Sequence, residues 1–190
     1  MKGVFSKTFN DKILFNKYVF AVEEGTKIAI RGASGIGKTT LLRLIASLEE
    51  NDCPKDDIEN DFKKYRYSFV FQEDRLIESF SAMENIRLCA SDAKDQEIEK
   101  AMEKVGLENT RQKVKEYSGG MKRRVAILRA LFAPYDILLL DEPFKGLDDD
   151  NLHKVACVVN ELTKGKTVIL VSHERRDEEL LSITNYVELS

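Results

Sequence analysis

Gly32-Ala33-Ser34-Gly35-Ile36-Gly37-Lys38-Thr39 has the spacing G-x-x-x-x-G-K-[ST], which is typical of loops that bind the phosphates of a nucleotide. An apolar run at residues 27–31 precedes the loop and indicates a buried strand, and residues 40–46 indicate a helix after it. This order favours a phosphate loop over a simple glycine-rich turn, because backbone N–H groups and a helix N-terminus then face the anion. We expect Lys38 to reach the β- and γ-phosphates and the Thr39 hydroxyl to ligate Mg²⁺.

The composition limits the function classes. A length of 190 residues suffices for one domain with a substantial core, and 30 Lys and Arg against 33 Asp and Glu give a net charge of −3. Such a balance does not indicate a nucleic-acid partner. We expect the basic cluster at residues 122–124 to be a solvated or dipole-compensating helix face rather than a DNA-binding patch.

The cysteines and the hydropathy predict the compartment. Cys53, Cys89 and Cys157 lie far apart, which predicts neither a disulfide framework nor a zinc site and favours a reducing cytoplasm. No apolar run approaches the ~20 residues that span a bilayer, and the N-terminus lacks the apolar core of a signal peptide. We therefore expect a cytoplasmic protein that reaches a membrane only through a partner.

Predicted strands and helices alternate along the chain, which indicates an α/β fold with a mostly parallel sheet covered on both faces. Further strands are predicted at residues 67–71, 137–140, 167–171 and 186–189, and helices at 95–105, 120–132, 149–162 and 175–181. Two β-prone pieces within residues 1–20 predict an antiparallel hairpin. Residues 49–64 predict a surface connection with a short edge strand. Residues 75–116 predict a short helical subdomain inserted into a core of about 1–74 and 117–190.

Two adjacent carboxylates, Asp141 and Glu142, follow the apolar run at residues 137–140. In a parallel sheet this position lies at the carboxyl edge, where α/β folds bind ligands. We expect Asp141 to hold Mg²⁺, directly or through water, and Glu142 to polarise the water that attacks a γ-phosphate. An ordinary acidic turn is the alternative, and the pairing with the phosphate loop disfavours it.

Ser118, Gly119 and Gly120 open the helix that leads to Asp141. Ser118 is a suitable N-cap, and the two glycines leave the helix N-terminus bare as a second candidate anion site. One nucleotide does not need two such sites in one chain, which favours a nucleotide held by another copy. A glycine hinge before a helix is the alternative.

Together these motifs resemble the nucleotide-binding domain of an ATP-binding cassette (ABC) ATPase, over nearly the whole chain. The resemblance implies a P-loop NTPase core, with ATP and Mg²⁺ as cofactors. The residues that match Walker A are Gly32, Ala33, Ser34, Gly35, Ile36, Gly37, Lys38 and Thr39, with Thr40 placed to touch the α-phosphate. Ser118, Gly119 and Gly120 match the signature motif, and Asp141 and Glu142 match Walker B and the catalytic base.

The resemblance also implies roles for single residues elsewhere in the chain. Gln72 would sense Mg²⁺ and the transmembrane partner, Asp148 would lie in the D-loop at a dimer interface, and His173 would contact the γ-phosphate. Phe9, rather than Tyr18, would stack on adenine. The implied catalytic residues are Lys38, Gln72, Glu142 and His173, and the implied metal ligands are Thr39, Gln72 and Asp141.

The signature motif departs from the family pattern, since Tyr117 and Met121 replace the usual Leu and Gln. Ser118 and the backbone donors remain, so we expect nucleotide binding across two chains to persist. By the resemblance, two copies would sandwich two ATP molecules, at the inner face of the cell membrane, on permease subunits. A solute-binding protein would take part indirectly.

The type of transporter is indicated more weakly. Residues 71–76, 84–86 and 141–148 resemble ATPases of bacterial importers for nitrate, sulfonates or taurine. The side chains that would line a groove for the permease, or else pack as core, are Leu76, Ile77, Phe80 and Met83. An exporter or lipoprotein-release ATPase and a non-transport ABC-type ATPase are the alternatives.

Overall fold

The structure is a computed structural model that describes residues 1–54, 60–108 and 112–190. Its strands are β1 (Lys2–Phe9), β2 (Lys12–Ala21), β3 (Lys27–Arg31), β4 (Tyr67–Val70), β5 (Ile137–Asp141), β6 (Thr167–Val171) and β7 (Asn185–Glu188). Its α-helices are α1 (Lys38–Ile45), α2 (Ala82–Arg87), α3 (Asp95–Lys104), α4 (Gly119–Phe132), α5 (Asp149–Leu162) and α6 (Arg175–Leu180). In the described part of the chain, no helix is both long and apolar enough to cross a bilayer.

Five strands form a parallel sheet in the order β4-β5-β6-β3-β7, which confirms the predicted α/β fold. Every residue of β5 and of β6 is buried, because central parallel strands are covered on both faces. The register pairs Val171 of β6 with Asp141 on one side and with Ile30 on the other. The loops that follow these strands therefore meet at one edge of the sheet, where the predicted site residues lie.

Two apolar clusters cover the two faces of the sheet. Leu138 and Leu140 of β5 face the cluster formed with α2, α3, α4 and α5. Leu139, between them, faces the cluster formed with α1 and the β1–β2 hairpin. This alternation follows from the period of two along a strand. The phosphate loop and α1 are thus fixed on one face, and α4 on the other.

The N-terminal strands β1 and β2 pair antiparallel, which confirms the predicted hairpin. Its tip is formed by Asn10 and Asp11, whose φ values are 46° and 64°. Asn and Asp tolerate this left-handed region better than most residues. The hairpin is held to the connection after α1 by Lys7, whose Nζ lies 2.9 Å from Glu49 Oε1.

The connection after α1 was predicted to contain a short edge strand, and only part of it is described. Its described part contains one bridge, between Gly3 and Asn60, and a 3-10 helix at Asp61–Lys64. The Asn60 side chain accepts the N–H of Phe62 at 3.0 Å and so begins a helical turn there. Residues 55–59 of the predicted connection lie outside the described residues.

Helices α2 and α3 lie between β4 and α4 in the chain. Helix α3 begins at Asp95, as predicted, and ends at Lys104, before Gly106 with a φ of 71°. Ile98 and Met102 of α3 are fully buried in the cluster that also covers the sheet. The boundaries of a separate helical subdomain stay a prediction, and residues 109–111 of that segment lie outside the described residues.

Candidate nucleotide site

The phosphate loop joins β3 to α1 and is closed by Lys38. The buried Lys38 Nζ donates to Gly32 O at 2.8 Å and to Ala33 O at 2.9 Å. A phosphate oxygen could replace these carbonyls as the acceptor, with a stronger, charge-assisted bond. Gly32 has a φ of 141°, and a Cβ there would lie 2.7 Å from Leu189 O. Only glycine therefore fits at the start of the loop.

A cavity of about 330 Å³ lies against this loop, a size that suits a small-molecule ligand. The predicted site residues that line it are Phe9, Ser34, Gly35, Gly37, Lys38, Thr39, Thr40, Gln72, Glu142 and His173. Gly32, Ala33 and Ile36 belong to the loop but do not line the cavity. Phe9 is 44 % exposed, whereas the ring of Tyr18 packs on Phe15 with centroids 5.6 Å apart. An aromatic face is thus available from Phe9.

Three polar side chains converge between the start of α1 and the carboxyl ends of β4 and β5. Thr39 Oγ1 donates to Asp141 Oδ1 at 3.1 Å, and Gln72 Nε2 lies 3.5 Å from the first atom and 3.4 Å from the second. Burial raises the pKa of Asp141, and the hydrogen bonds from Thr39 and Gln72 oppose that rise. Among the described residues, no three His, Cys, Asp or Glu side chains form a metal-binding cluster. A cation here would have the Asp141 carboxylate, the Thr39 hydroxyl and the amide oxygen of Gln72 as protein ligands, a set of oxygen atoms that suits a phosphate-bound Mg²⁺.

Glu142 follows Asp141 with a left-handed backbone, at a φ of 50°. Its Oε1 is buried and has no hydrogen-bond partner among the described residues. His173 Nε2 lies 3.4 Å from this oxygen, and the His173 side chain is about half exposed. A buried carboxylate oxygen without a hydrogen bond, on a residue that lines a cavity, is suited to accept a hydrogen bond from a bound water.

Ser118, Gly119 and Gly120 form the start of α4. Ser118 Oγ accepts the N–H of Met121 at 3.2 Å, which is the predicted N-cap. None of these three residues lines the cavity beside Lys38. Tyr117, which replaces the usual Leu of the motif, is buried. The structure therefore separates the α4 N-terminus from the phosphate loop of the same chain.

Asp148 is also a helix cap and does not line the cavity beside Lys38. Its carboxylate accepts the Asn151 backbone N–H at 2.9 Å and the Asn151 side-chain amide at 2.7 Å. The backbone bond, followed by the side-chain bond, lowers the pKa of Asp148. Asn151 Oδ1 in turn accepts Arg124 Nη1 at 2.9 Å, which connects the start of α5 to α4.

The basic cluster at residues 122–124 is not a solvated face, so that prediction was wrong for two of its members. Arg123 and Arg124 are 4 % and 7 % exposed. Arg123 donates to backbone carbonyls of Pro143 and Phe71, and Arg124 to those of Val105 and Gly106. A buried cation needs such acceptors, and they come from distant loops that a local pattern does not reveal.

A family model described as ABC transporter matches residues 15–145, which is more than half of the chain. The chain belongs to the ABC transporter family. It is an ATP-binding subunit with ATPase activity, as the phosphate loop and the Asp141-Glu142 pair predict.

Relatives and solved structures agree with this assignment. The lipoprotein-releasing system ATP-binding protein LolD of Treponema denticola is 34 % identical, over 95 % of this chain and 88 % of that protein. The thiamine import ATP-binding protein ThiQ of Aliivibrio fischeri is 35 % identical, over 85 % and 75 %. The bacterial ABC transporter cassette MJ0796, solved as a dimer, is 25 % identical, covers 100 % of this chain and 94 % of its own, and has a TM-score of 0.79. The P-loop NTPase fold is thereby confirmed.

Proposed function

We propose that two copies of this chain bind two ATP molecules between them, and that hydrolysis of this ATP drives a membrane permease. The observation that carries the proposal is the bare N-terminus of α4. Gly119 is helical, and a Cβ there would meet no atom of the described residues within 4 Å, so glycine is not required by its described surroundings. A Cβ at Gly120 would make only ordinary contacts, at 3.6 Å or more. Packing within the chain does not explain why both positions are glycine. Their lack of side chains favours the close approach of another molecule to the N-terminus of α4.

A second copy of the chain is the partner that fits this surface. MJ0796, which matches the full length of this chain, was solved as a dimer. The N–H groups at the start of α4 would complete the phosphate contacts of an ATP held by the partner's loop. Because each ATP would contact both copies, it would bind the paired state better than the separated one. That difference in affinity is what would perform mechanical work.

Within each composite site, the residues around the cavity have separate roles in the proposal. Lys38 would bind the β- and γ-phosphates, and Phe9 would stack on the base. Glu142 would accept a hydrogen bond from the attacking water, and His173, beside it, would contact the γ-phosphate. Asp148 would lie at the interface between the two copies.

Magnesium would complete each site, because the oxygen atoms of Thr39, Gln72 and Asp141 suit this cation. The ion would neutralise charge on the phosphates as they separate. The three side chains would hold and orient it between the phosphate loop and the end of β5.

Removal of divalent cations with EDTA is expected to lower the rate of ATP hydrolysis at least ~10²-fold, with recovery on addition of Mg²⁺. An Asp141→Asn variant is expected to need a higher Mg²⁺ concentration for half-maximal rate. In the wild-type chain, the raised pKa of Asp141 means that protons compete with the cation at a higher pH than for an exposed aspartate, so the Mg²⁺ concentration for half-maximal rate rises as pH falls. The measurement is a phosphate-release titration at several pH values. Full activity in EDTA would contradict the metal site.

Dilution tests the composite site itself. If each centre needs two copies, the rate of ATP hydrolysis per chain falls in proportion to concentration below the dissociation constant of the dimer. We expect this fall to coincide with the loss of the dimer in sedimentation velocity with ATP. A rate per chain that stays constant over a thousandfold dilution, with only monomer present, would overturn the proposal.

We further propose that the work is import of a small solute and that a solute-binding protein delivers it. The support is the resemblance of residues 71–76 and 141–148 to importer ATPases. The relatives include both a thiamine import protein and a lipoprotein-releasing protein, so lipoprotein release is the second candidate. Ile77, which is 41 % exposed, is the best candidate for a permease contact, whereas Leu76 and Met83 pack on the core. Purification from membranes and identification of the bound permease would distinguish the two.

A further inference from the structure

One buried guanidinium holds the turn that carries Glu142. Arg123 Nη2 donates to Glu142 O at 2.7 Å and to Asp141 O at 3.2 Å, and Nε donates to Pro143 O at 2.7 Å. Three consecutive carbonyls are thus bonded to one rigid, planar group. The turn needs this support, since a non-glycine residue at a φ of 50° costs on the order of 1 kcal/mol.

The same guanidinium holds the loop that carries Gln72. Arg123 Nη1 donates to Phe71 O at 2.5 Å, and it lies 3.4 Å from Gln72 O and 3.3 Å from Asp74 Oδ1. The side chain of Gln72 points from this loop to Thr39 and Asp141. One cation therefore connects the backbone of a proposed metal ligand to the backbone of the proposed base.

We propose that Arg123 is a positioning residue for ATP hydrolysis, which fixes the carboxylate of Glu142 relative to Gln72 and the phosphate loop. The proposal rests on the hydrolytic function proposed above. Arg123 does not line the cavity, so it acts through Glu142 and not on ATP. Its position on α4, the helix capped by Ser118, also gives a rigid path from the proposed interface to the catalytic turn. A misplacement of ~1 Å at a reacting group can lower a rate by ~10²-fold.

An Arg123→Lys variant tests this role, because lysine keeps the charge but loses the planar arrangement of donors. The expected result is a decrease in kcat of ~30-fold with a change in KM for ATP of less than about threefold. Arg129→Lys is the matched control. Arg129 donates to Arg75 O at 2.7 Å and to Asp74 O at 3.0 Å, so it touches the same loop but not the Glu142 turn. Its kcat is expected to stay within threefold of wild type.

A double-mutant cycle distinguishes positioning from general loss of structure. In a Glu142→Gln background, measured by single-turnover hydrolysis, Arg123→Lys is expected to have less than a threefold further effect, because the group it positions is already gone. Thermal unfolding of each variant ensures that all rates refer to folded protein. Arg123→Gln is the second variant, since a neutral amide keeps two donors without a buried charge, and we expect the same split between kcat and KM.

The outcomes separate the two proposals. If the wild-type chain does not hydrolyse ATP, the proposed function itself fails. If it does, the positioning role is overturned by any of three results: an unchanged kcat in both Arg123 variants, an equal loss in Arg129→Lys, or a full ~30-fold further loss in the Glu142→Gln background.

Discussion

A Glu142→Gln variant is expected to hydrolyse ATP ~10²–10⁴ times more slowly than the wild-type chain, while two copies stay paired around the bound ATP. The reason is the environment of Glu142, which lines the cavity and whose buried Oε1 has no hydrogen-bond partner among the described residues. A carboxylate there can accept a proton from water, whereas an amide cannot. The amide has the same shape and no charge, so the bound state should persist and the cycle should stop before hydrolysis.

The measurement combines phosphate release with sedimentation in the presence of ATP and Mg²⁺. Glu178→Gln is the matched control, because Glu178 is a buried carboxylate on α6 that pairs with Arg31 and has no place in the proposed chemistry. We expect the control to hydrolyse ATP within threefold of the wild-type rate. Near-normal phosphate release by Glu142→Gln would remove Glu142 from its role. A monomer with bound ATP would show that hydrolysis is not what separates the copies.

The sequence predicts the sheet and the convergence of the site because these depend on local periodicity and on one topological rule. Strand β6 and helix α5 have the predicted bounds, Thr167–Val171 and Asp149–Leu162. A fully apolar run between turn residues is typical of a buried strand in a parallel sheet. Since parallel strands end at the same edge, Asp141 was expected beside the phosphate loop, whereas Gln72 and His173, which lie about 100 residues apart, were assigned to the site by the resemblance to ABC ATPases.

The arginines of α4 could not be placed from local pattern. Nearly the whole circumference of α4 is buried, including Arg123 and Arg124, because the helix lies between the sheet and several loops. A basic triplet in a helix normally indicates a solvated face. Here the acceptors are carbonyls at residues 71–72, 105–106 and 141–143, whose proximity to α4 is decided by the tertiary fold. One sequence feature did point to burial, although less strongly than the basic triplet pointed to solvent. The remaining positions of α4 are mostly apolar, and a helix that is apolar on most sides is normally buried.

In the described part of residues 49–64, a helical turn and not a strand follows Asn60. Asn60 has a side chain that competes with the strand for a backbone N–H, and it takes that of Phe62. Such local bonds favour the start of a helical turn over continuation of a sheet. Strand propensities do not account for this competition between a side chain and a neighbouring strand for one backbone N–H.

A Ser118→Arg variant is expected to abolish ATP-driven pairing while one chain still binds ATP. Ser118 and Gly119 leave the N-terminus of α4 open, and an arginine would fill the space that the proposal reserves for the partner's γ-phosphate. Within one chain, Ser118 does not line the cavity beside Lys38, so the substitution leaves that cavity unchanged. We therefore expect the dissociation constant of the dimer to rise at least ~10²-fold, while ATP affinity of the monomer changes less than threefold.

The test is best made in the Glu142→Gln background, where hydrolysis does not dissociate the dimer. Sedimentation measures pairing, and calorimetry measures ATP binding. Ser118→Ala is the control, because it removes the cap on the Met121 N–H at a cost of ~1 kcal/mol but adds no bulk. If loss of the cap alone explained the result, the alanine variant would fail to pair as well. If pairing depends on the space in front of α4, the alanine variant pairs and the arginine variant does not. An unchanged dimer in Ser118→Arg would mean that α4 does not face the partner's nucleotide, and the shared site would have to be abandoned whatever the rate of hydrolysis.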